Sequence, residues 1–317
     1  MELNITHNED CLTGIRKLPD NCVDCVITSP PYWALRDYGI SGQLGRENTP
    51  KEYIQSLLDI FKEIHRVLKP TGTCFVNLGD TYAGSGAGTT KNADISGYIK
   101  QSKQVYILPN GNAKAASFRN TIKNKSLLMI PYRFAWLMVE QQKWILRNII
   151  NWHKPNQMPS SVKDRFTVDF EPIFFFAKQA KYNFTQQFEP LKLDSIRRAQ
   201  HGWHGKLMPN GEGSAGIKHS NKMGERFANP RGRNMRTTWA ISTNGFKGAH
   251  FATYPEKLVE KMLLAGCPEG GVVLDPFMGS GTTAVVALKN KRNFIGYELN
   301  PDYIAMQCER ISAIVYS

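Results

Sequence analysis

"VVLDPFMGSGTTA", residues 272–284, reads as a buried strand, a tight glycine turn and the start of a helix. Gly279 and Gly281 permit the turn and let a ligand come close to the backbone. The helix start behind them favours electron-rich groups. The next strand, "NFIGYEL" (293–299), carries Glu298, 17 residues beyond Gly281. An acidic side chain there can take both ribose hydroxyls of an adenosine in a doubly wound α/β sheet.

Three readings of the turn compete. Gly279, Gly281 and Ala284 satisfy GxGxxA, so a NAD-dependent oxidoreductase is one of them. A glycine turn that holds no ligand is the second. S-adenosylmethionine as ligand is the third, whereas a P-loop is excluded because no Gly-Lys-Ser/Thr follows. Asp275-Pro276-Phe277 weighs among them. A carboxylate at the strand tip attracts an ammonium group and repels a pyrophosphate. S-adenosylmethionine carries an ammonium and a sulfonium, and NAD carries two phosphates. Electrostatics therefore favours the methyl donor.

Outward from this turn the pattern alternates. "YPEKLVEKMLLAG" (254–266), 281–291 and 301–315 are helical, with strands at 271–277 and 293–299. The N-terminal half repeats the logic. Residues 2–6 suit an edge or parallel strand, and "CVDCVIT" (22–28) a buried strand. In 50–70, Ile54, Leu57, Leu58, Phe61, Ile64, Val67 and Leu68 recur at helical spacing between Pro50 and Pro70. "TCFVNLG" (73–79) is the next strand, which completes a βαβ unit and implies a parallel sheet. A helix over 126–142 follows, begun or broken at Pro131, and then strands at 144–154 and 170–178.

Two stretches break the alternation. Residues 81–125 are small and polar, with seven Lys/Arg against one Asp; a loop that long inside a compact domain is usually functional or disordered. Residues 185–250 hold eleven Lys/Arg and four Asp/Glu, or 11 − 4 = +7, with nine glycines and no helical or strand period in the middle. A basic, loop-rich lobe suits backbone or groove recognition of nucleic acid, and Arg231, Arg233 and Arg236 could reach guanine edges. The whole chain, at +13 over 317 residues, points to a polyanionic partner.

No basic region followed by an apolar one opens the chain, and no run approaches the roughly 18 apolar residues that span a bilayer. The expectation is a cytoplasmic protein with no membrane partner. Cys22 and Cys25 form a CxxC, but no second pair follows at metal spacing. The six cysteines are therefore expected to be free thiols in a reducing compartment, with no metal.

"ITSPPYWALRDYG" (27–39) ends the strand at 22–28 with a rigid polar corner. If both strands are parallel, this corner lies at the same sheet edge as the glycine turn. An exocyclic base amine is a poor nucleophile because its lone pair is delocalised. The Ser29 hydroxyl and the Pro30 carbonyl could accept its two N–H bonds and let the nitrogen move toward tetrahedral. Pro30 and Pro31 fix the carbonyl's direction. Tyr32 could stack on an extruded base. Catalysis would then be mainly the positioning of an in-line methyl transfer.

Taken together, "TSPPYW", "DPFMGSGTT", "GYELNPDY" and "YPEKL" resemble the amino-group DNA methyltransferases of bacteria and their phages. The catalytic motif precedes the cofactor motif, with the basic lobe between them, which is similar to the β-class circular permutation. The resemblance runs over nearly the whole chain and is weakest at 81–125 and 200–245. It implies a Rossmann-like, doubly wound, mostly parallel seven-stranded sheet with an inserted loop-rich lobe. The implied division is a catalytic half (1–180), a target-recognition lobe (181–250) and a cofactor half (251–317). It implies S-adenosyl-L-methionine as cofactor, held by Asp10, Thr253, Pro255, Asp275, Phe277, Gly279, Gly281, Thr282 and Glu298. It places Lys154 and Asn156 beside the target base. Duplex DNA is the implied partner, with a cognate restriction endonuclease as a candidate second one, for a monomer or homodimer in a bacterial, archaeal or phage-infected cell. In such enzymes a serine opening the tetrapeptide goes with cytosine N4, and aspartate or asparagine with adenine N6. Ser29 thus favours cytosine N4, and adenine N6 is the alternative.

Overall fold

The computed structural model describes residues 1–35, 40, 42–83, 122–191, 231–243 and 254–315. The N-terminal elements are β1 (Ile5–His7), α1 (Cys11–Lys17), β2 (Val23–Thr28), α2 (Pro50–Val67) and β3 (Leu68–Asn77). After them come α3 (Ile130–Gln142), β4 (Ile145–His153), β5 (Phe170–Ala177), β6 (Phe188–Glu189), β7 (Arg233–Asn234) and β8 (Thr238–Ala240). The C-terminal run is α4 (Glu256–Gly266), β9 (Val272–Asp275), α5 (Thr282–Lys289), β10 (Asn293–Tyr297) and α6 (Pro301–Val315).

One eight-stranded sheet organises them in the order β1-β10-β9-β2-β3-β5-β4-β8. Every pairing is parallel except those of β5 with β3 and β4. This is the mixed, mostly parallel α/β architecture expected, with one strand more than the resemblance implies. The short β8, read from composition as part of the basic lobe, pairs with β4 in the main sheet.

The helices cover both faces. Strand residues Val26, Cys74, Val76, Phe174 and Leu274 share a core with α1, α2 and α3. Residues of alternate parity face α4: a Cβ on Gly266 would sit 2.6 Å from the Phe75 ring, so only glycine lets that helix lie so close. Helix α2 follows from its sequence. The Thr49 side chain caps the Glu52 N–H, Pro50 occupies the first turn, and Tyr53, Ile54, Leu57, Leu58, Phe61, Ile64 and Val67 are buried. Each fully buried side chain of this kind contributes roughly 1.5–3 kcal/mol. The helix ends at Val67 rather than Pro70, because the residue before a proline is pushed out of the helical region and Leu68 is already extended. Asp24, buried within β2, is answered by Lys69 and the Val272 N–H.

Helix α1 has no counterpart in the sequence reading. It is seven residues long and contains Gly14, whose absent Cβ would fall 2.0 Å from the Tyr297 ring. Of the stretch 81–125, residues 84–121 lie outside the described residues.

The chain forms two compact units. Residues 1–184 and 237–317 make the first, which carries the large sheet. The second, 185–236, is described at 185–191 and 231–236, where β6 and β7 pair antiparallel.

Candidate active site

Strands β2 and β9 are parallel neighbours, with Cys25 beside Val273 and Val26 beside Leu274. Their carboxyl ends therefore emerge side by side, and the two motifs meet at one rim. The Thr28 hydroxyl donates to Asp275 Oδ1 at 2.7 Å, across 247 residues of chain. Asp275 accepts three more bonds, from Phe277 N (3.0 Å), the Tyr254 hydroxyl (2.9 Å) and the Thr283 hydroxyl (2.6 Å). The Tyr254 and Thr283 hydroxyl oxygens are also in close contact with each other. This carboxylate is completely buried, and burial raises its pKa despite the four donors. Here the structure corrects the electrostatic expectation. Asp275 is saturated by protein donors behind the cavity wall and does not present itself to a ligand ammonium group.

The glycine turn is held from both sides. Gly279 and Gly281 have φ of +54° and +81°, and a Cβ on Gly281 would come 2.7 Å from Gln307 Cγ. Glu298 accepts the Gly279 N–H on one carboxylate oxygen and the Asn300 N–H on the other, both at 2.8 Å. A carboxylate offers about four lone-pair directions, so two remain for a ligand. Burial raises the Glu298 carboxyl. From α6, Gln307 donates to Gly279 O (2.6 Å), and Arg310 donates to Ser280 O (2.7 Å), Ser280 Oγ (3.0 Å) and Thr282 Oγ1 (3.1 Å). Asp10 caps α1, accepting the Thr13 N–H at 2.9 Å.

At the opening corner, Tyr53 donates to Pro31 O at 2.7 Å and so holds the turn. No described residue donates to the Pro30 carbonyl. The Ser29 hydroxyl is 3.5 Å from Asn77 Oδ1. Tyr32 donates its one proton to Glu171 Oε2 (2.7 Å), with Asn77 Oδ1 3.2 Å away, and burial followed by the Glu171 charge pushes its phenol well up. Its ring lies against Gly79, where a Cβ would stand 2.4 Å from Tyr32 Cε2. Glu171 in turn pairs with Lys154, whose ammonium lies 4.4 Å from the Trp152 ring centroid.

The opening corner and the glycine turn line one cavity of about 550 Å³, within the usual range for a small-molecule site. Of the residues singled out in the sequence, Asp10, Ser29, Pro30, Pro31, Tyr32, Lys154, Phe277, Gly279, Thr282 and Glu298 are on its wall. Gly281 stands behind the wall as the N-cap of α5, and Pro255 as the N-cap of α4. Asn156 is turned to structural use: its amide exchanges hydrogen bonds with the Thr243 backbone. Arg231, Arg233 and Arg236 belong to the second unit. There Arg231 lies over the Phe188 ring, and Arg233 and Arg236 both reach Glu189. Thr253 lies outside the described residues.

Sequence reasoning missed Asn77, Trp152, Glu171 and Tyr254 on the wall, and Gln307 and Arg310 behind it. Two of them carried a signal. Asn77 and Glu171 are polar residues inside otherwise apolar strands, a placement that burial penalises unless something uses them.

Comparison with known proteins fits this geometry. A family model described as DNA methylase, of the N6/N4 type, matches residues 23–309. The Type II methyltransferase M.Cfr9I of Citrobacter freundii is 37% identical, covering 95% of this chain and 85% of its own. M.SmaI of Serratia marcescens is 36% identical, covering 95% and 88%. Among solved structures, the cytosine-N4-specific PvuII DNA methyltransferase superposes with a TM-score of 0.58 at 20% identity, covering 96% of this chain and 86% of that one. A Thermus thermophilus protein, described as a candidate DNA modification methylase and complexed with S-adenosyl-L-methionine, gives 0.55 at 20% identity, covering 97% and 93%. At such identities the structural likeness speaks for the fold.

Proposed function

This chain belongs to the DNA methylase family of the N6/N4 type, and on that premise we propose that it methylates the exocyclic N4 of cytosine at a specific site in duplex DNA. The observation that carries the proposal is the single cavity shared by Ser29-Pro30-Pro31-Tyr32 and the glycine turn, tied together by the Thr28–Asp275 bond. S-adenosylmethionine is the methyl donor. The residues present fit it: Glu298 keeps two acceptor directions for ribose hydroxyls, Phe277 offers an apolar face, and Gly279 leaves open space where a side chain would stand. When bound, the donor supplies an electrophilic methyl group on a cationic sulfur.

The chain's own residues prepare the nucleophile. An extruded cytosine places its amine between the Ser29 hydroxyl and the Pro30 carbonyl. Two acceptors there draw its N–H bonds out of the ring plane and aim the lone pair at the methyl carbon. The nitrogen would take the methyl as the carbon–sulfur bond breaks with its electrons staying on sulfur, and would give up one proton to solvent. Tyr32, fixed by Glu171, Asn77 and Gly79, gives the base a rigid face. Lys154 stands on the wall for contact with the base or its phosphate. Asp10 and Thr282 border the cofactor, Thr253 and Pro255 flank its methionine end, and Asp275 with Gly281 shapes the turn without touching it. Arg231, Arg233 and Arg236 read DNA in the lobe formed around 181–250, and Asn156 holds the turn beside the base. A cognate endonuclease sharing the same site is the fitting partner, and a monomer or homodimer the fitting assembly.

Ser29 is the feature that favours cytosine over adenine. Unmethylated DNA treated with the protein and labelled donor, digested to nucleosides and analysed by mass spectrometry, is expected to yield N4-methylcytosine. N6-methyladenine in its place would overturn the assignment of the base.

A further inference from the structure

The loop between β4 and β5 springs from the cavity wall on both sides, because Lys154 at one stem and Glu171 at the other line the cavity. The stem is closed by Lys154 N donating to Asp169 O at 2.7 Å. Its outer part is braced against a neighbouring strip of chain. The Arg165 guanidinium lies 3.7 Å from the Tyr82 ring centroid, and Lys125 pairs with Asp164 at 2.5 Å. Tyr82 in turn bridges to Leu127 and stands five residues past Asn77, which also lines the cavity. Inside the loop, Ser160 N donates to Thr167 Oγ1 and Val162 N to Ser160 Oγ.

On this braced loop Phe166 is 96% exposed and Met158 80% exposed. A fully solvated phenylalanine beside a closed set of polar contacts forgoes the burial that a side chain of its size normally gains. Lys163 and Arg165 precede it in the chain, with the Asp164 charge answered by Lys125. An apolar tip next to cations, on a loop whose two stems line a cavity sized for a small molecule, matches the chemistry of DNA. Its phosphates attract the cations, and a base step opened by extrusion presents an apolar gap that phenylalanine or methionine can enter.

We infer that Phe166, together with Met158 of the same loop, is an apolar wedge that enters the base stack next to the extruded nucleotide and holds the duplex open. The inference rests on the proposed reading of the cavity as the site of an extruded base. Phe166 is a positioning residue: it acts on the DNA stack and leaves the transferred methyl to the wall residues.

The test compares wild type, Phe166→Ala and Phe166→Leu in single-turnover methyl transfer. The two short synthetic duplexes carry the site that wild type is found by sequencing to methylate. One is fully paired, and the other has an abasic position opposite the target, so that the base is already unpaired. Phe166→Ala is expected to slow transfer about tenfold on the paired duplex and less than about twofold on the unpaired one, because the wedge acts only on opening. Phe166→Leu should stay close to wild type on both. Equal losses on the two duplexes, no loss on either, or a change of oligomeric state by light scattering with an unchanged ratio between duplexes would each overturn the wedge. Failure of wild type to methylate DNA at all would instead remove the reading beneath it.

Discussion

Glu298 shows how one side chain can build a turn and still keep acceptor directions open. Its two oxygens each take a backbone N–H, so it builds the glycine turn before any cofactor arrives. Burial, stronger than these hydrogen bonds, lifts its pKa above the ordinary 4.5. The folded state therefore holds this proton more tightly than the unfolded chain. The stabilisation this provides is fully present below the unfolded value and is lost as pH rises through the folded one. Denaturant midpoints of wild type and Glu298→Gln, measured between about pH 4 and pH 7, should show the wild-type advantage shrinking as pH rises. A flat or growing difference would mean that the carboxyl is not raised. Residues of this kind were partly visible in the sequence. Ser29, Pro30, Gly279 and Glu298 stand out in the sequence as polar, proline or glycine residues at strand tips, and all four line the cavity. Gln307 and Arg310 do not, since nothing in "AMQCERIS" distinguishes a clamp from an ordinary helix surface. Asp275 misled: a carboxylate at a strand tip says nothing about whether the protein has already filled it.

Strands and helices were legible where their periodicity was long. Helix α2 and strand β5 follow from apolar spacing, whereas α1 is too short and glycine-interrupted to show a period. The ends of elements were less legible, as the early stop of α2 before Pro70 illustrates. Helix α6 is the element whose purpose the sequence hides. It packs against α5 and sends Gln307 and Arg310, one helical turn apart, into the carbonyls and hydroxyls of the glycine turn. Arg310 also reaches Glu256 at the start of α4. Arg310→Met keeps an aliphatic stem and removes four hydrogen bonds. It is expected to weaken S-adenosylmethionine binding about tenfold by titration calorimetry, since charge-assisted bonds of this kind contribute on the order of 1.5–3 kcal/mol before compensation by water. An unchanged dissociation constant would show that the turn keeps its shape without the clamp.

Across the whole molecule, the site exists because two strands far apart in the chain are neighbours in the sheet. Three parallel pairings, β1 with β10, β2 with β9 and β4 with β8, each join the first 184 residues to the segment after 236. Strand pairing holds that adjacency, and β6 and β7 of the second unit pair with each other. A protein cut within 192–230 should therefore stay together as a two-piece enzyme. The pieces made separately in one cell should copurify on a tag carried by either and still transfer methyl groups. Evolution can then reorder such a gene, or divide it in two, without disturbing the place where base and donor meet, because lateral strand order, rather than succession along the polypeptide, is what heredity must preserve.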